Sequence, residues 1–259
     1  MLEPEGGKAG KRRIMRENKY DNEGFFEKYG QMARSRQGLK GAGEWRELEG
    51  LLPDFSGKRV LDLGCGYGWH CKYAADHKAA CVIGTDISWR MLKKAREINH
   101  AAAVTYQLSP MEELSFEEGA FDVVLSSLAL HYVEDYRGMV EKIGKWLVRG
   151  GCFVFSVEHP VFTAYGSQDW YYDEHGKILH FPVDNYYYEG TREAVFLGEK
   201  MTKYHRTLTT YLSALLQTGF ELEAVVEPEP PEDMRELPGM KDEMRRPMML
   251  LVKARKREG

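Results

Sequence analysis

The stretch from Val60 to His70 reads VLDLGCGYGWH and decides the fold. A short apolar run ends near an acid, and glycine then stands at every second position, at Gly64, Gly66 and Gly68. Glycine-rich turns that follow a buried strand and open a helix bind phosphate or nucleotide groups. The first question is therefore which nucleotide this turn accepts.

Two common nucleotide-binding turns do not match this stretch. A dinucleotide loop needs G-x-G-x-x-G, and Trp69 occupies the position of the last glycine. A phosphate-binding loop needs a lysine and a hydroxyl residue, and neither follows Gly68. Asp62 instead stands two residues before the first glycine, where its charge repels a pyrophosphate and attracts an amine. The pattern indicates a nucleoside joined to an amino acid, and S-adenosylmethionine fits that description.

A second acid supports the same ligand. Asp86, in GTDIS, ends the next predicted strand. A carboxylate at this place in a nucleotide-binding sheet accepts hydrogen bonds from ribose hydroxyls. The alternative is a helix N-cap, a role for which Ser88 competes.

Strands and helices alternate after residue 57, which predicts a mostly parallel sheet covered by helices on both faces. In such sheets the ligand lies beyond the carboxyl ends of the strands. The predicted strands are 58–63, 80–85, 104–108, 121–126, 152–157, 221–226 and 248–253, and the predicted helices from the glycine loop onward are 68–77, 88–99, 135–148 and 204–218.

Composition bounds the class of protein. The 259 residues are 43% hydrophobic and 29% charged, with a formal net charge of -4, so we expect neither nucleic-acid binding nor a membrane span. The four cysteines form no C-x-x-C pair and no spaced ligand set, which favours a reducing cytoplasm and predicts no metal site. We expect a flexible N-terminal tail over 1–19 and a single domain over 20–259.

Several motifs together resemble a known family. VLDLGCGYGWH, GTDIS and FDVVLSSLALHYVED followed by GGCFVFS are similar to the successive motifs of class I S-adenosylmethionine-dependent methyltransferases, in the branch of the ubiquinone- and biotin-pathway enzymes. The resemblance implies an α/β, Rossmann-like sheet of seven mostly parallel strands with an antiparallel last strand. It also implies S-adenosylmethionine as the donor and S-adenosylhomocysteine as the product.

The resemblance also assigns donor-binding residues. It implies backbone contacts from the Gly64–Gly66 turn to the methionine portion, Asp62 beside its amine, and a hydrophobic pair around the adenine. Ser109 stands where these enzymes often carry aspartate; the alternative for SPMEEL is a capping-box-like helix start. An N-terminal helix is expected to cover the donor. The full set is Tyr20, Tyr29, Asp62, Gly64, Cys65, Gly66, Asp86, Ile87, Met91, Ser109, Met111, Glu112 and Ser126.

Four residues are candidates for the chemistry at the acceptor. His131 follows the fourth strand, Glu158 and His159 end the fifth as a possible acid–base pair, and His205 lies at a predicted helix start. Each has a structural alternative: a histidine bonded to backbone, a charged strand end, or a solvated first turn. The loop after the fourth strand reads SSLA, without the Asn/Asp-Pro-Pro-aromatic motif of enzymes that methylate base amines.

An aromatic-rich segment, residues 159–203, interrupts the alternation after the fifth strand. We expect a lid, with some of Tyr186, Tyr187 and Tyr188 lining a pocket because side chains alternate along a strand. The alternative is a structural hairpin with exposed tyrosines. The sequence as a whole predicts a methyltransferase that acts on a small molecule by in-line transfer. An RNA or protein methyltransferase and a non-catalytic donor-binding protein remain alternatives, and monomer and homodimer are both open.

Overall fold

The computed structural model describes residues 18–236 and 240–258. Most of the predicted tail, residues 1–17, lies outside the described residues. The last two tail residues are described. Asn18 Nδ2 donates to the Ile87 carbonyl oxygen at 3.2 Å, and a short 3₁₀ turn spans Lys19–Asp21. The described chain therefore begins in contact with the loop after the second strand.

The strands and helices alternate as the sequence predicts from residue 59 onward. The strands are β1 Arg59–Leu63, β2 Cys81–Asp86, β3 Val104–Leu108, β4 Phe121–Ser127, β5 Leu147–Glu158, β6 Tyr171–Tyr172, β7 Ile178–His180, β8 Gly190–Phe196, β9 Glu199–His205, β10 Phe220–Val226 and β11 Met249–Lys256. The helices are α1 Glu23–Gln31, α2 Ala33–Arg36, α3 Trp45–Leu51, α4 Trp69–Asp76, α5 Trp89–Ile98, α6 Tyr136–Trp146, α7 Pro160–Thr163, α8 Leu208–Gln217 and α9 Met240–Glu243.

Seven strands form one sheet in the order β10-β11-β5-β4-β1-β2-β3. The pairs among β1 to β5 are parallel, and β11 runs antiparallel to both β5 and β10. This confirms the predicted Rossmann-like sheet with its antiparallel last strand. The carboxyl ends of β1, β2, β4 and β5 meet at one edge, and the functional loops follow from those ends.

The centre of the sheet is buried on both faces. Leu61 and Leu63 of β1 face the core shared with α6 and α8, whereas Val60 faces the core shared with α3 and α4. This alternation is the period of two that a strand imposes. Burying both faces explains why Val60, Leu61 and Leu63 of β1 are apolar, and it fixes the position of the glycine loop that follows β1.

Several predicted element boundaries are wrong. The fifth strand begins at Leu147 and not at Cys152. The helix expected over 135–148 ends at Trp146, because Leu147 is extended and pairs with Phe121 of β4. The helix expected from Tyr204 begins at Leu208, where Thr207 Oγ1 accepts from the Thr210 N–H at 3.1 Å. The residues before it belong to β9, in which every second side chain is buried.

The segment 159–203 contains α7 and most of two hairpins, β6–β7 and β8–β9. A turn around His175-Gly176 joins β6 to β7. Tyr186, Tyr187 and Tyr188 are expected in a strand, but they lie in the turn region before β8. Tyr187 and Tyr188 are 87% and 76% exposed, so the alternation argument does not apply to them.

Candidate active site

One large cavity of about 1250 Å³ lies at the carboxyl edge of the sheet. Ligand pockets are roughly 300–1,000 Å³, so this volume has room for a donor and an acceptor together. Its wall contains ten of the thirteen residues assigned to the donor. It also contains two of the four catalytic candidates. These twelve residues are Tyr20, Tyr29, Gly64, Gly66, Asp86, Ile87, Met91, Ser109, Met111, Glu112, His131 and Glu158.

The backbone of the glycine loop adopts conformations that only glycine tolerates without strain. Gly64 and Gly66 have φ values of 72° and 53°, in the left-handed region. A Cβ on Gly64 would lie 2.4 Å from the Ala129 Cβ, whereas a Cβ on Gly66 would meet nothing within 4 Å. Gly64 therefore permits close packing against the loop after β4, and Gly66 leaves its side of the loop open.

Asp86 ends β2 directly opposite this loop. Its two carboxylate oxygens accept from the Gly66 N–H at 2.9 Å and from the Ser88 N–H at 2.8 Å. Burial raises the pKa of Asp86 to about 6, although these hydrogen bonds oppose the shift. Ser88 is the N-cap of α5 through its own hydroxyl, so the N-cap alternative for Asp86 is wrong.

Three of the predicted donor residues lie just behind the cavity wall. Asp62 is 1% exposed and accepts from the Cys71 thiol at 3.2 Å, and burial raises its pKa to about 7. Cys65 is also buried under the loop. The hydroxyl of Ser126 donates to the Leu63 carbonyl at 2.9 Å and so ties the ends of β4 and β1 together.

The N-terminal segment covers one side of the cavity. The hydroxyls of Tyr20 and Tyr132 lie 3.3 Å apart, and Tyr20 packs edge-on against Tyr29. Asp21 Oδ1 accepts from the Ser88 hydroxyl at 2.6 Å and thereby holds this segment to the start of α5. No sequence motif marks Asp21, because its contact with Ser88 spans 67 residues and depends on the tertiary fold.

The loop after β3 forms another part of the wall. Ser109, Met111 and Glu112 all line the cavity. The short 3₁₀ turn Met111–Glu113 begins after Pro110 and has no side-chain cap. The capping-box alternative for SPMEEL is therefore wrong.

Glu158, which also lines the cavity, belongs to a closed ring of hydrogen bonds. Its Oε1 lies 2.5 Å from the Lys203 Nζ, and its Oε2 accepts from the Gln168 Nε2 at 2.6 Å. Lys203 Nζ also donates to the Gln168 Oε1 at 2.9 Å. Burial opposes ionisation of Glu158, but the positive charge and hydrogen bonds around it lower its pKa overall. Glu158 is therefore a carboxylate at neutral pH.

His131 lies beside this ring and is uncharged. Burial lowers its pKa to about 4, although Glu158 opposes the shift. Its Nδ1 lies 3.4 Å from the Glu158 backbone N–H and accepts from it, so the ring proton resides on Nε2. The backbone contact expected as the alternative for His131 is present, and His131 also lines the cavity.

His159 and His205 do not reach the cavity wall. His159 Nδ1 accepts from the Val161 N–H at 3.1 Å, and its Nε2 lies 2.7 Å from Glu227 Oε1. Glu158 and His159 thus engage different neighbours, so the expected acid–base pair is not formed. The reason is that consecutive strand residues point in opposite directions.

His205 is fully buried in a structural contact. Its Nδ1 lies 2.7 Å from the Thr163 hydroxyl, and its Nε2 donates to the Tyr186 carbonyl at 2.9 Å. The neighbouring Arg206 donates to the carbonyl oxygens of Val133 and Glu134, the latter at 2.8 Å. His205 is expected at a helix start that faces the substrate. It instead ends strand β9 and anchors the β8–β9 hairpin.

Sequence reasoning did not assign Lys203 and Gln168 to the site. The sequence could have indicated Lys203. In a strand, the side chains of MTKYH alternate between two faces, which puts Met201, Lys203 and His205 on the same face. Gln168 carries no such signal, because it lies in a loop and reaches Glu158 only in the folded chain. Among the described residues no group of three or more His, Cys, Asp and Glu side chains is arranged to hold a metal ion. No described helix is long and apolar enough to cross a membrane.

Comparison with known proteins identifies a family and a shared fold. A family model described as a methyltransferase domain matches residues 61–155. The chain is 54% identical to a protein of Listeria monocytogenes assigned as an S-adenosylmethionine-dependent methyltransferase, covering 85% of this chain and all of that one, with a TM-score of 0.82. An S-adenosylmethionine-dependent methyltransferase of Mesorhizobium loti is 41% identical over the same shares of both chains, with a TM-score of 0.78. An uncharacterised protein of Haemophilus influenzae is 32% identical over 92% of this chain and 97% of its own length.

Proposed function

The chain belongs to the class I S-adenosylmethionine-dependent methyltransferases, and from that premise we propose that it methylates a small-molecule acceptor. One observation carries the proposal. A single cavity of about 1250 Å³ joins the glycine loop to the Glu158 ring, and both the N-terminal segment and the β8–β9 hairpin contribute to its wall. Such a partly covered space suits a molecule that enters whole better than a residue within a polymer.

The described residues fit the donor. Asp86 is a half-buried carboxylate on the cavity wall, a Cβ on the neighbouring Gly66 would meet nothing within 4 Å, and Ile87 and Met91 supply apolar surface to the same wall. We assign the ribose hydroxyls to Asp86 and the adenine to Ile87 and Met91. When bound, S-adenosylmethionine supplies a methyl group that its sulfonium already activates.

Asp62 acts on the donor through its charge. It lies behind the glycine loop and has a thiol, not a cation, as its hydrogen-bond donor. A buried carboxylate without a counter-charge is unfavourable, as its raised pKa shows. An ammonium group at the loop would supply that counter-charge. Asp62 thus favours the amino-acid end of the donor at this end of the cavity.

The acceptor end is arranged for orientation rather than for proton removal. His131 already accepts a hydrogen bond at Nδ1, its only basic nitrogen, and Glu158 is engaged by Lys203 and Gln168. Neither is poised as a free general base, whose pKa lies near the working pH. Holding two reactants in line lowers a barrier by roughly 7–11 kcal/mol without any proton transfer. We therefore assign His131 and Glu158 to acceptor binding.

Methyl transfer to separated pools of acceptors tests the proposal. The protein is incubated with methyl-labelled S-adenosylmethionine and, in parallel, with a metabolite fraction, total RNA and a protein extract. We expect label in the metabolite fraction only, and none with an Asp86→Ala variant. Label in RNA or protein would replace the proposed acceptor class. Donor binding without transfer to any pool would indicate the non-catalytic alternative.

A further inference from the structure

The ring formed by Glu158, Lys203 and Gln168 has one carboxylate, one ammonium and one amide, so it carries no net charge. Lys203 and Glu158 have only 3% and 16% of their side chains exposed, yet both face the cavity. All three pairs within the ring are hydrogen-bonded, at 2.5, 2.6 and 2.9 Å. Buried charges are retained at such a place only when they satisfy each other, and here they do.

The strained backbone of Gln168 indicates that the surrounding structure holds its side chain in the ring. Its φ is 59°, in the left-handed region that side chains other than those of Gly, Asn and Asp seldom adopt. Such a residue costs of order 1–3 kcal/mol of backbone strain and persists where its surroundings hold it. In this conformation one amide group contacts both members of the ion pair, and the segment after α7 is thereby joined to the cavity wall.

The wall around the ring is mostly apolar. Its members near the ends of β5, β8, β9 and the start of β11 are Phe162, Val195, Phe196, Met201, Met248 and Met249. Phe196 also lies under the Lys203 ammonium, with 5.7 Å between Nζ and the ring centroid. The other charged residues of the wall are Lys19, Arg34, Asp86, Glu112, Glu134 and Asp135. Of these, Arg34 pairs with Glu44 at 2.7 Å, Asp135 caps α6, and Asp86 accepts from the Gly66 and Ser88 N–H groups.

From this geometry we propose that the ring is a charge filter that makes the site selective for an uncharged, largely apolar acceptor bearing a hydrogen-bonding group. This inference rests on the proposed function and adds the substrate class. A carboxylate on the acceptor would meet Glu158, and an ammonium would meet Lys203, so neither finds an unopposed counter-charge. A neutral molecule packs against the aromatic and methionine side chains and takes a hydrogen bond from His131 or from the ring.

Three aromatic probes of one shape separate the possibilities. Benzyl alcohol, benzylammonium and benzoate are titrated into the full-length protein loaded with S-adenosylhomocysteine, and Kd values are measured by calorimetry or ligand-observed NMR. We expect benzyl alcohol to bind at least fivefold more tightly than either charged probe. Equal binding of the three probes, preference for a charged probe, or binding of none would overturn the proposal.

Variants then reverse the filter. Lys203→Met leaves Glu158 unopposed and is expected to shift the preference to benzylammonium, and Glu158→Gln is expected to shift it to benzoate. The matched control is Lys200→Met, which changes the same strand three residues away at a side chain that is 78% exposed. Unchanged selectivity in folded Lys203→Met protein would refute the filter.

A third variant keeps the test decisive if the first two fail to fold. Gln168→Glu adds one negative charge to the ring from a half-buried loop position, and we expect at least fivefold tighter binding of benzylammonium than of benzoate. Titration of S-adenosylhomocysteine itself separates the two proposals. If it does not bind, the proposed function fails; if it binds and the probe order is absent, only the charge filter fails.

Discussion

Replacing Asp86 by alanine is the sharpest test of the donor half of the cavity. The carboxylate holds the Gly66 and Ser88 N–H groups at 2.9 and 2.8 Å and is assigned two ribose hydroxyls. A hydrogen bond to a charged group contributes roughly 1.5–3 kcal/mol, so two of them are worth about 3–6 kcal/mol. At 1.4 kcal/mol per tenfold change, Asp86→Ala should weaken S-adenosylhomocysteine binding by about 10²–10⁴-fold.

Isothermal titration calorimetry measures that loss directly. Asp76→Ala serves as the control, because Asp76 lies at the end of the neighbouring helix α4 and its side chain is 56% exposed. Its affinity should match the unmodified protein within about twofold. Urea unfolding of both variants shows whether the fold persists. A folded Asp86→Ala protein that binds within threefold of the unmodified chain would refute the assignment of the ribose to Asp86.

Four further predictions concern the same elements. In calorimetric titrations donor affinity should begin to fall below about pH 7, where Asp62 with a pKa of about 7 loses the charge that attracts the ammonium, and should fall more steeply below pH 6, where Asp86 with a pKa of about 6 takes up a proton. Asp86→Ala should remove the steeper part of that dependence and leave the part due to Asp62. Gly64→Ala should lower the free energy of unfolding by several kcal/mol in urea titrations, whereas Gly66→Ala, which meets no neighbour, should lose about 1 kcal/mol and mainly weaken donor binding. Asp21→Ala should speed dissociation of S-adenosylhomocysteine in stopped-flow measurements about tenfold, because it releases the N-terminal segment from Ser88; an unchanged rate would mean that this segment does not retain the ligand. Lys203→Met should destabilise the protein by about 3–5 kcal/mol, and the Glu158→Gln/Lys203→Met pair should recover most of that loss in thermal unfolding.

Sequence could predict that most of the donor candidates share one cavity wall, because their signals are local. The glycine spacing and Asp62 lie within one strand and its turn, and Asp86 is one strand away. In a parallel sheet, consecutive strand ends meet at one edge, so local signals translate directly into a shared site. Asp62 does not line the cavity, because its side chain is buried beneath the glycine loop, where it contacts Cys71.

The acceptor half could not be predicted because its contacts span long separations. Lys203 reaches Glu158 across 45 residues and Gln168 across 35, while Gln168 reaches Glu158 across 10 residues of a segment without a regular period. Lys203 and His205 are polar residues at buried positions of β9, so the sequence lacks the alternation of polar and apolar residues that predicts a strand. The same residues instead suggest a helix start. The prediction for His159 is wrong for a simpler reason. Its neighbour Glu158 points to the cavity, so the side chain of His159 points away from it.

A crystal structure with S-adenosylhomocysteine tests the central claim most directly. The account predicts the ribose hydroxyls within hydrogen-bond distance of Asp86, the amino-acid portion along the Gly64–Gly66 loop, and the sulfur directed toward His131 and Glu158. A ligand whose sulfur faces away from the Glu158 ring, or whose ribose lies elsewhere than at Asp86, would contradict it.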